Sequence, residues 1–162
     1  MAGGPLSELQ LEAWRAFVRA HAVLIDVLSD ELEAARHMPL SFYDVLVHLS
    51  EAADGRLRMR ELAGAVLLSR SGLTRLVDRM ETVGYVTREA CPSDRRGAYA
   101  AITSKGVEAL RLAWPVHAKG VARHFAGHLD DSELTVLRDA FNRILEAAPR
   151  PPADDELAAA DA

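Results

Sequence analysis

The sequence predicts a mainly α-helical fold that carries one small β-hairpin. Three observations lead there. Apolar residues recur at alternating spacings of three and four over most of the 162 residues, the signature of amphipathic helices. The period drops to two at Tyr85–Glu89 and Tyr99–Thr103, on either side of a polar turn. Turn signals at His37-Met38-Pro39, Ala53-Asp54-Gly55 and Gly84 separate the periodic stretches.

Residues 6–36 read as one long helix with Leu11, Trp14, Val18, His21, Ile25, Leu28 and Leu32 on one stripe. That is about eight turns, against three or four in an average globular helix, so it calls for a partner outside its own domain. Pro39 ends it, because the residue before a proline is disfavoured in helix. A second helix is expected from Ser41 as N-cap, with Phe42, Val45, Leu46 and Leu49 on its inner face. Arg56-Leu57-Arg58 reads as a very short strand and Met59–Ala65 as a short helix. After an apolar turn, Val66-Leu67-Leu68, Ser69 caps the next helix, which buries Leu73, Leu76, Val77 and Met80 and stops at a cap glycine, Gly84. The strands Tyr85–Glu89 and Tyr99–Thr103 flank the polar turn Cys91–Gly97. A helix then starts near Thr103 or Ser104 and continues to about Gly127, with Pro115 expected to kink it. The last helix starts at Asp130, boxed by Glu133, and carries Leu134, Leu137, Phe141, Ile144 and Leu145. The Pro-, Ala- and Asp-rich segment 148–162 is expected to be disordered.

Bulk properties narrow the function classes. The chain has no apolar run near the roughly 20 residues that span a bilayer, and Met1–Pro5 lacks the basic and apolar regions of a signal peptide. Cys91 is the single cysteine, so no internal disulfide forms. A cytoplasmic protein with no membrane association is expected. The net charge is −5, yet it is unevenly spread. Arg56 to Lys105 holds ten basic and five acidic residues, a net of +5, whereas the rest of the chain holds nine basic and nineteen acidic, a net of −10. Phosphate binding needs a local basic surface rather than a basic protein.

Two short helices joined by a tight turn and followed by a basic hairpin make a winged helix-turn-helix. The helix after Ser69 packs one face inward and presents Ser69, Arg70, Ser71, Thr74 and Arg75 on the other. Short hydroxyls near a helix N-terminus approach phosphates and base edges closely, and arginine reads guanine bidentately. Asp78 and Arg79 sit one turn further up, at the limit of reach. At the hairpin tip, Arg95 and Arg96 suit a narrow, electronegative minor groove, and Asp94 is placed to stiffen the tip.

These strings resemble the multiple-antibiotic-resistance regulator (MarR) family. The resemblance runs over about residues 8–147, through Leu62-Ala63, Ser69–Glu81, Gly84-Tyr85-Val86, Asp94-Arg95-Arg96-Gly97 and Ile102–Gly106. The Asp-Arg-Arg wing followed by a Thr-x-x-Gly helix entry is its most specific part. The resemblance implies a homodimer with interlocked first and last helices, a pseudo-palindromic operator in double-stranded DNA, usually repression, and release by small aromatic acids in many members. The apolar stripes agree independently, since an isologous dimer would bury them. Two wing domains would then read half-sites about one helical turn, roughly 34–36 Å, apart. The expected organisation is a winged helix-turn-helix domain at 37–103 and a helical dimerisation domain at 6–36 and 104–147.

An effector site is open to two readings. Trp14, Arg15 and His21 lie within two turns of the first helix, where a flat wall, a bidentate clamp and a second donor suit an aromatic carboxylate. Alternatively Trp14 is dimer core, Arg15 an exposed charge and His21 a satisfied interior histidine. His117, beyond Pro115, either approaches the same pocket or is structural. His124 and His128 are four apart, but no third ligand has metal spacing. Cys91 falls at the wing and is expected to be exposed and oxidisable at most. No phosphate-cradling Gly-rich loop, nucleophile elbow or HExxH is present, so neither an enzyme nor a cofactor is expected. The competing class is a helical protein–protein interaction module that uses its helix-turn-helix only for packing.

Overall fold

The structure, a computed structural model, describes residues 4–35, 37–91 and 94–148, with the backbone alone at 94–96. The expected disordered tail from Pro149 onward lies outside the described residues. The elements run α1 (Glu8–Ala34), α2 (Leu40–Glu51), β1 (Arg56–Arg58), α3 (Met59–Ala65), α4 (Arg70–Thr82), β2 (Val86–Cys91), β3 (Asp94–Ile102), α5 (Ser104–His124), a 3-10 turn (Ala126–His128) and α6 (Asp131–Ala147). A fold of helices with a small sheet is as the sequence predicts.

Local capping decides most of the boundaries. Ser7 and Gln10 form a capping box that starts α1. Helix α2 departs from expectation: Pro39, not Ser41, is its cap, with φ −59° and ψ 143°, and no side chain closes it. Proline already has the required φ, so the carbonyl of Pro39 accepts from Phe42 and Tyr43 and the helix begins before the serine. Helix α4 ends as expected. Gly84 has φ +77°, and the amides of Gly84 and Tyr85 donate to the carbonyls of Glu81 and Met80, the paired bonds of a Schellman cap. After α3 a left-handed position is held by Leu67 instead of a glycine, at φ 54°. Its neighbour Leu68 donates to the carbonyl of Ala63.

The three strands form an antiparallel sheet in the order β1-β3-β2. Arg58 pairs with Tyr99, and Val86 with Ile102. Strand β3 reaches back to Asp94, with a register irregularity at Ala90/Cys91. Five residues of the expected polar turn, Cys91 and Asp94 to Gly97, are therefore strand, because ladder hydrogen bonds are made by the backbone whatever the side chain's polarity.

The core lies where α2, α4 and the sheet meet. Val45, Leu46, Leu49, Leu62, Leu73, Val77 and Met80 are all buried, each side chain contributing about 1.5–3 kcal/mol. From α1 only Leu28 and Leu32 are buried; Trp14, Phe17, Val18, Val23 and Ile25 are exposed. Helix α5 passes through Pro115 and ends at His124, three residues before the expected Gly127. Residues up to Phe125 make one compact unit and those from Ala126 a second. In the second, Asp130 caps α6 with Glu133 as expected, and no residue of α6 is buried. Among the described residues no helix is long and apolar enough to cross a membrane.

Candidate nucleic-acid interface

Helix α4 has one wholly buried face, Leu73, Leu76, Val77 and Met80, and one exposed face bearing Ser69, Arg70, Ser71, Thr74 and Arg75. The exposed residues differ in how free their polar atoms are. The Ser69 hydroxyl accepts from the amide of Gly72 at 3.1 Å and lies 3.3 Å from the Ser71 hydroxyl, so it serves mainly as the N-cap. The Thr74 hydroxyl donates to the carbonyl of Arg70 at 2.9 Å, which engages its donor within the helix. Arg75 is exposed and forms no ion pair among the described residues. The two residues one turn up are engaged elsewhere. Asp78 accepts from Arg88, and the Arg79 guanidinium sits 5.5 Å from the centre of the Phe42 ring.

Arg88, on β2, was not singled out by sequence reasoning. Its guanidinium turns to α4, where Nη1 meets Asp78 at 2.5 Å and Glu81 at 2.7 Å, and Nη2 donates to the carbonyl of Thr74 at 3.0 Å. A signal did exist: Asp78 and Glu81 are two of only five acidic residues in the basic segment. A third, Glu89, pairs with Arg56 at 2.8 Å across the sheet. Arg56 and Arg58 both lie over Tyr99, at 5.1 and 5.7 Å.

The Thr-x-x-Gly helix entry has a geometric reason. The Thr103 hydroxyl donates to the carbonyl of Gly84 at 2.7 Å and accepts from the amide of Gly106 at 3.0 Å. It thus caps α5 while tying it to the turn after α4. Lys105 closes the same turn from outside. Its Nζ donates to the carbonyl of Val83 at 2.7 Å, a cation at the C-terminus of α4.

The wing-tip residues Asp94, Arg95 and Arg96 contribute only backbone, as part of β3; their side chains lie outside the described residues. Cys91, expected at most to be exposed and oxidisable, is buried at the end of β2, which takes its sulfur away from solvent.

Trp14, Arg15 and His21 are exposed on α1, with the Phe17 ring between Trp14 and His21 at 5.9 and 6.2 Å. His117 lies against α2 instead, 4.3 Å from Tyr43 ring to ring. Its Nδ1 is buried without a hydrogen-bond partner. Burial pulls its pKa below the usual histidine value of 6.5, against the opposing charge of Asp44. No hydrogen bond or ring contact joins His117 to Trp14, Arg15 or His21. His124, half of the weighed metal pair, bonds Glu31 at 2.9 Å instead and holds that carboxyl below its usual pKa. Among the described residues no group of three His, Cys, Asp or Glu is placed to hold a metal.

The model of the MarR family matches residues 38–97, from the start of α2 into β3. The crystal structure of AbsC, a MarR family transcriptional regulator from Streptomyces coelicolor, aligns with a TM-score of 0.80 at 36% identity, over 89% of this chain and 97% of that one. Sco3205 from the same organism, a MarR family transcriptional regulator solved in complex with DNA, aligns with a TM-score of 0.84 at 34% identity, over 93% and 95% of the two chains. The uncharacterized HTH-type transcriptional regulator YkoM of Bacillus subtilis is 34% identical over 79 residues, 49% of this chain and about half (51%) of that protein. A solved relative matched almost end to end at this identity decides the assignment: the chain belongs to the MarR family of transcriptional regulators, and is not an enzyme.

Proposed function

We propose that the chain is a homodimeric, sequence-specific DNA-binding repressor that lays α4 in the major groove and its wing against the adjacent minor groove. One observation carries this: α4 holds a wholly buried face and, opposite it, an N-terminal half whose Arg75 is exposed and unpaired among the described residues. That is the division of labour a reading helix needs, apolar residues to seat it and a planar donor fork free for a base edge. Ser71 and Arg70 lie at the helix N-terminus, where amides and hydroxyls suit phosphate. The Thr74 methyl suits a thymine methyl. Arg95 and Arg96 are assigned to the minor groove and Asp94 to stiffening the tip. The complex of Sco3205 with DNA supports the reading.

The dimer reading rests on exposed apolar residues of three helices, among them Trp14 and Ile25 of α1, Trp114 of α5 and Ile144 and Leu145 of α6. Left in water, each forgoes about 1.5–3 kcal/mol, and an isologous partner would recover it. Helices α1, α5 and α6 are thus assigned to the dimer frame and the elements between them to reading DNA. A small aromatic acid or phenol is the assigned effector class, with Arg15 as its clamp beside Trp14 and His21, and His117 as a further candidate contact.

Selection of bound sites from random duplexes tests the central claim. It should return a two-fold motif with half-sites one helical turn apart. Arg75→Ala should then weaken operator binding by about 1–3 kcal/mol and relax sequence preference, whereas Arg95→Ala should weaken it with less loss of preference. Wild-type binding by both variants would refute the groove assignments.

A further inference from the structure

Arg88 lies in the basic segment, on the wing strand next to the reading helix, where an arginine would ordinarily count as a phosphate contact. Its geometry is different. Nη1 is shared between the carboxylates of Asp78 and Glu81, and Nη2 holds the carbonyl of Thr74. The other oxygen of Glu81 accepts the Arg88 backbone amide at 2.8 Å. These four bonds tie one strand residue to α4 at three points over eight residues, Thr74 to Glu81, about two turns of helix. The cluster holds one positive charge against two negative, so an approaching phosphate would compete with a pair of carboxylates already in place. The Arg88 side chain is 29% exposed and Glu81 31%, so that pair is less screened than a surface pair, while Asp78 is 55% exposed; the planar fork fixes direction as well as distance.

We infer that Arg88 is a positioning residue for DNA reading: it locks the rotation and height of α4 against the sheet, without touching DNA, so that Ser71, Thr74 and Arg75 stay in register with the bases. The lock grips Thr74 by its own carbonyl, one residue from Arg75. Core packing seats the buried face of α4, and the fork adds directional bonds at three points on the neighbouring face. The inference rests on α4 being the reading helix.

The test compares wild type, Arg88→Met, Arg88→Lys and the neutral triple variant Arg88→Met/Asp78→Asn/Glu81→Gln. Two measurements are made: binding to the selected operator and a scrambled duplex across a salt series, and amide hydrogen exchange of the free protein. Arg88→Met should lose roughly five- to hundredfold in operator affinity, with little change on scrambled DNA. The slope of log affinity against log salt should stay that of wild type, because no phosphate contact is lost. Exchange should accelerate over residues 74–82 and not in α2. Arg88→Lys, which keeps the charge and the fold but lacks the fork to reach Thr74, should lose part of the operator preference. The triple variant should not recover, since removing the carboxylates does not restore the lock. A slope reduced by about one phosphate would make Arg88 a DNA contact and overturn the inference. Recovery in the triple variant would overturn it in favour of simple charge masking, and wild-type operator binding by Arg88→Met would overturn it outright. If wild type selects no duplex, the DNA-binding reading fails by itself. Exchange then still decides the lock, and unchanged exchange over 74–82 refutes it.

Discussion

Replacing Gly106 with alanine sets a methyl group against backbone. A Cβ built there lies 2.2 Å from the carbonyl oxygen of Tyr85 and 3.0 Å from Cγ1 of Ile102. Ordinary contact between heavy atoms is about 3.5 Å, so α5 and the turn at Tyr85 must part by roughly 1 Å. Overpacking that moves backbone costs about 1–3 kcal/mol. The movement also stretches the Thr103 hydroxyl bonds to Gly84 and Gly106, each worth about 1 kcal/mol. Alanine returns about 1 kcal/mol through helix propensity. The net is a loss of about 3 kcal/mol, or roughly 6–12 °C in Tm for a chain of this length. Gly120→Ala is the internal control. Its Cβ meets Glu31 Oε2 at 2.6 Å and Leu28 Cδ2 at 2.7 Å, the ends of side chains that can rotate away, so its net effect should stay within about 1 kcal/mol. Urea and thermal unfolding at one protein concentration measure both. The reasoning fails if Gly106→Ala unfolds with wild-type stability, or if Gly120→Ala is the costlier of the two.

Three further outcomes follow from particular residues. Leu67→Gly should stabilise the protein by about 1 kcal/mol in urea unfolding, because Leu67 holds a left-handed φ of 54° while 87% exposed; a loss of stability would show that its side chain is needed in place. His117→Phe should flatten the acid limb of the stability profile. Burial depresses the His117 pKa in the folded state, so its contribution is complete above the usual value of 6.5 and is lost as pH falls below that toward the folded pKa; phenylalanine keeps the ring against Tyr43 and has no proton to gain. An unaltered acid limb in the variant would assign the slope to other groups. Thermal shifts against a panel of aromatic acids should show stabilisation that Arg15→Ala abolishes, and no stabilisation from any of them would remove the effector assignment.

Much of the fold was legible because its determinants are local. The buried face of α4 follows from four apolar residues at helical spacing, and its ends from Ser69 and Gly84, each acting on amides or carbonyls within five residues. Asp130 and Thr103 cap α6 and α5 for the same reason. Where two local devices competed, the sequence was ambiguous. Ser41 is a better side-chain cap than Pro39, but the fixed φ of proline starts α2 earlier. The hairpin is longer than its period-two pattern, because its polar residues hide a ladder that only pairing with β2 reveals.

The candidate site divides along the same line. By itself the sequence determined that a basic helix-turn-helix with a wing sits inside an acidic chain, and which face of α4 points outward, since charge and periodicity are properties of near neighbours. Only the tertiary structure decided which arginines are committed. Arg75 and Arg88 look alike in a basic run, yet one is exposed and the other is held by acceptors seven to fourteen residues away. The structure also decided that Gly106 must be glycine, because the obstructing oxygen of Tyr85 arrives from another element. Side-chain commitment depends on distances between elements, and those exist only once strand, helix and core have packed.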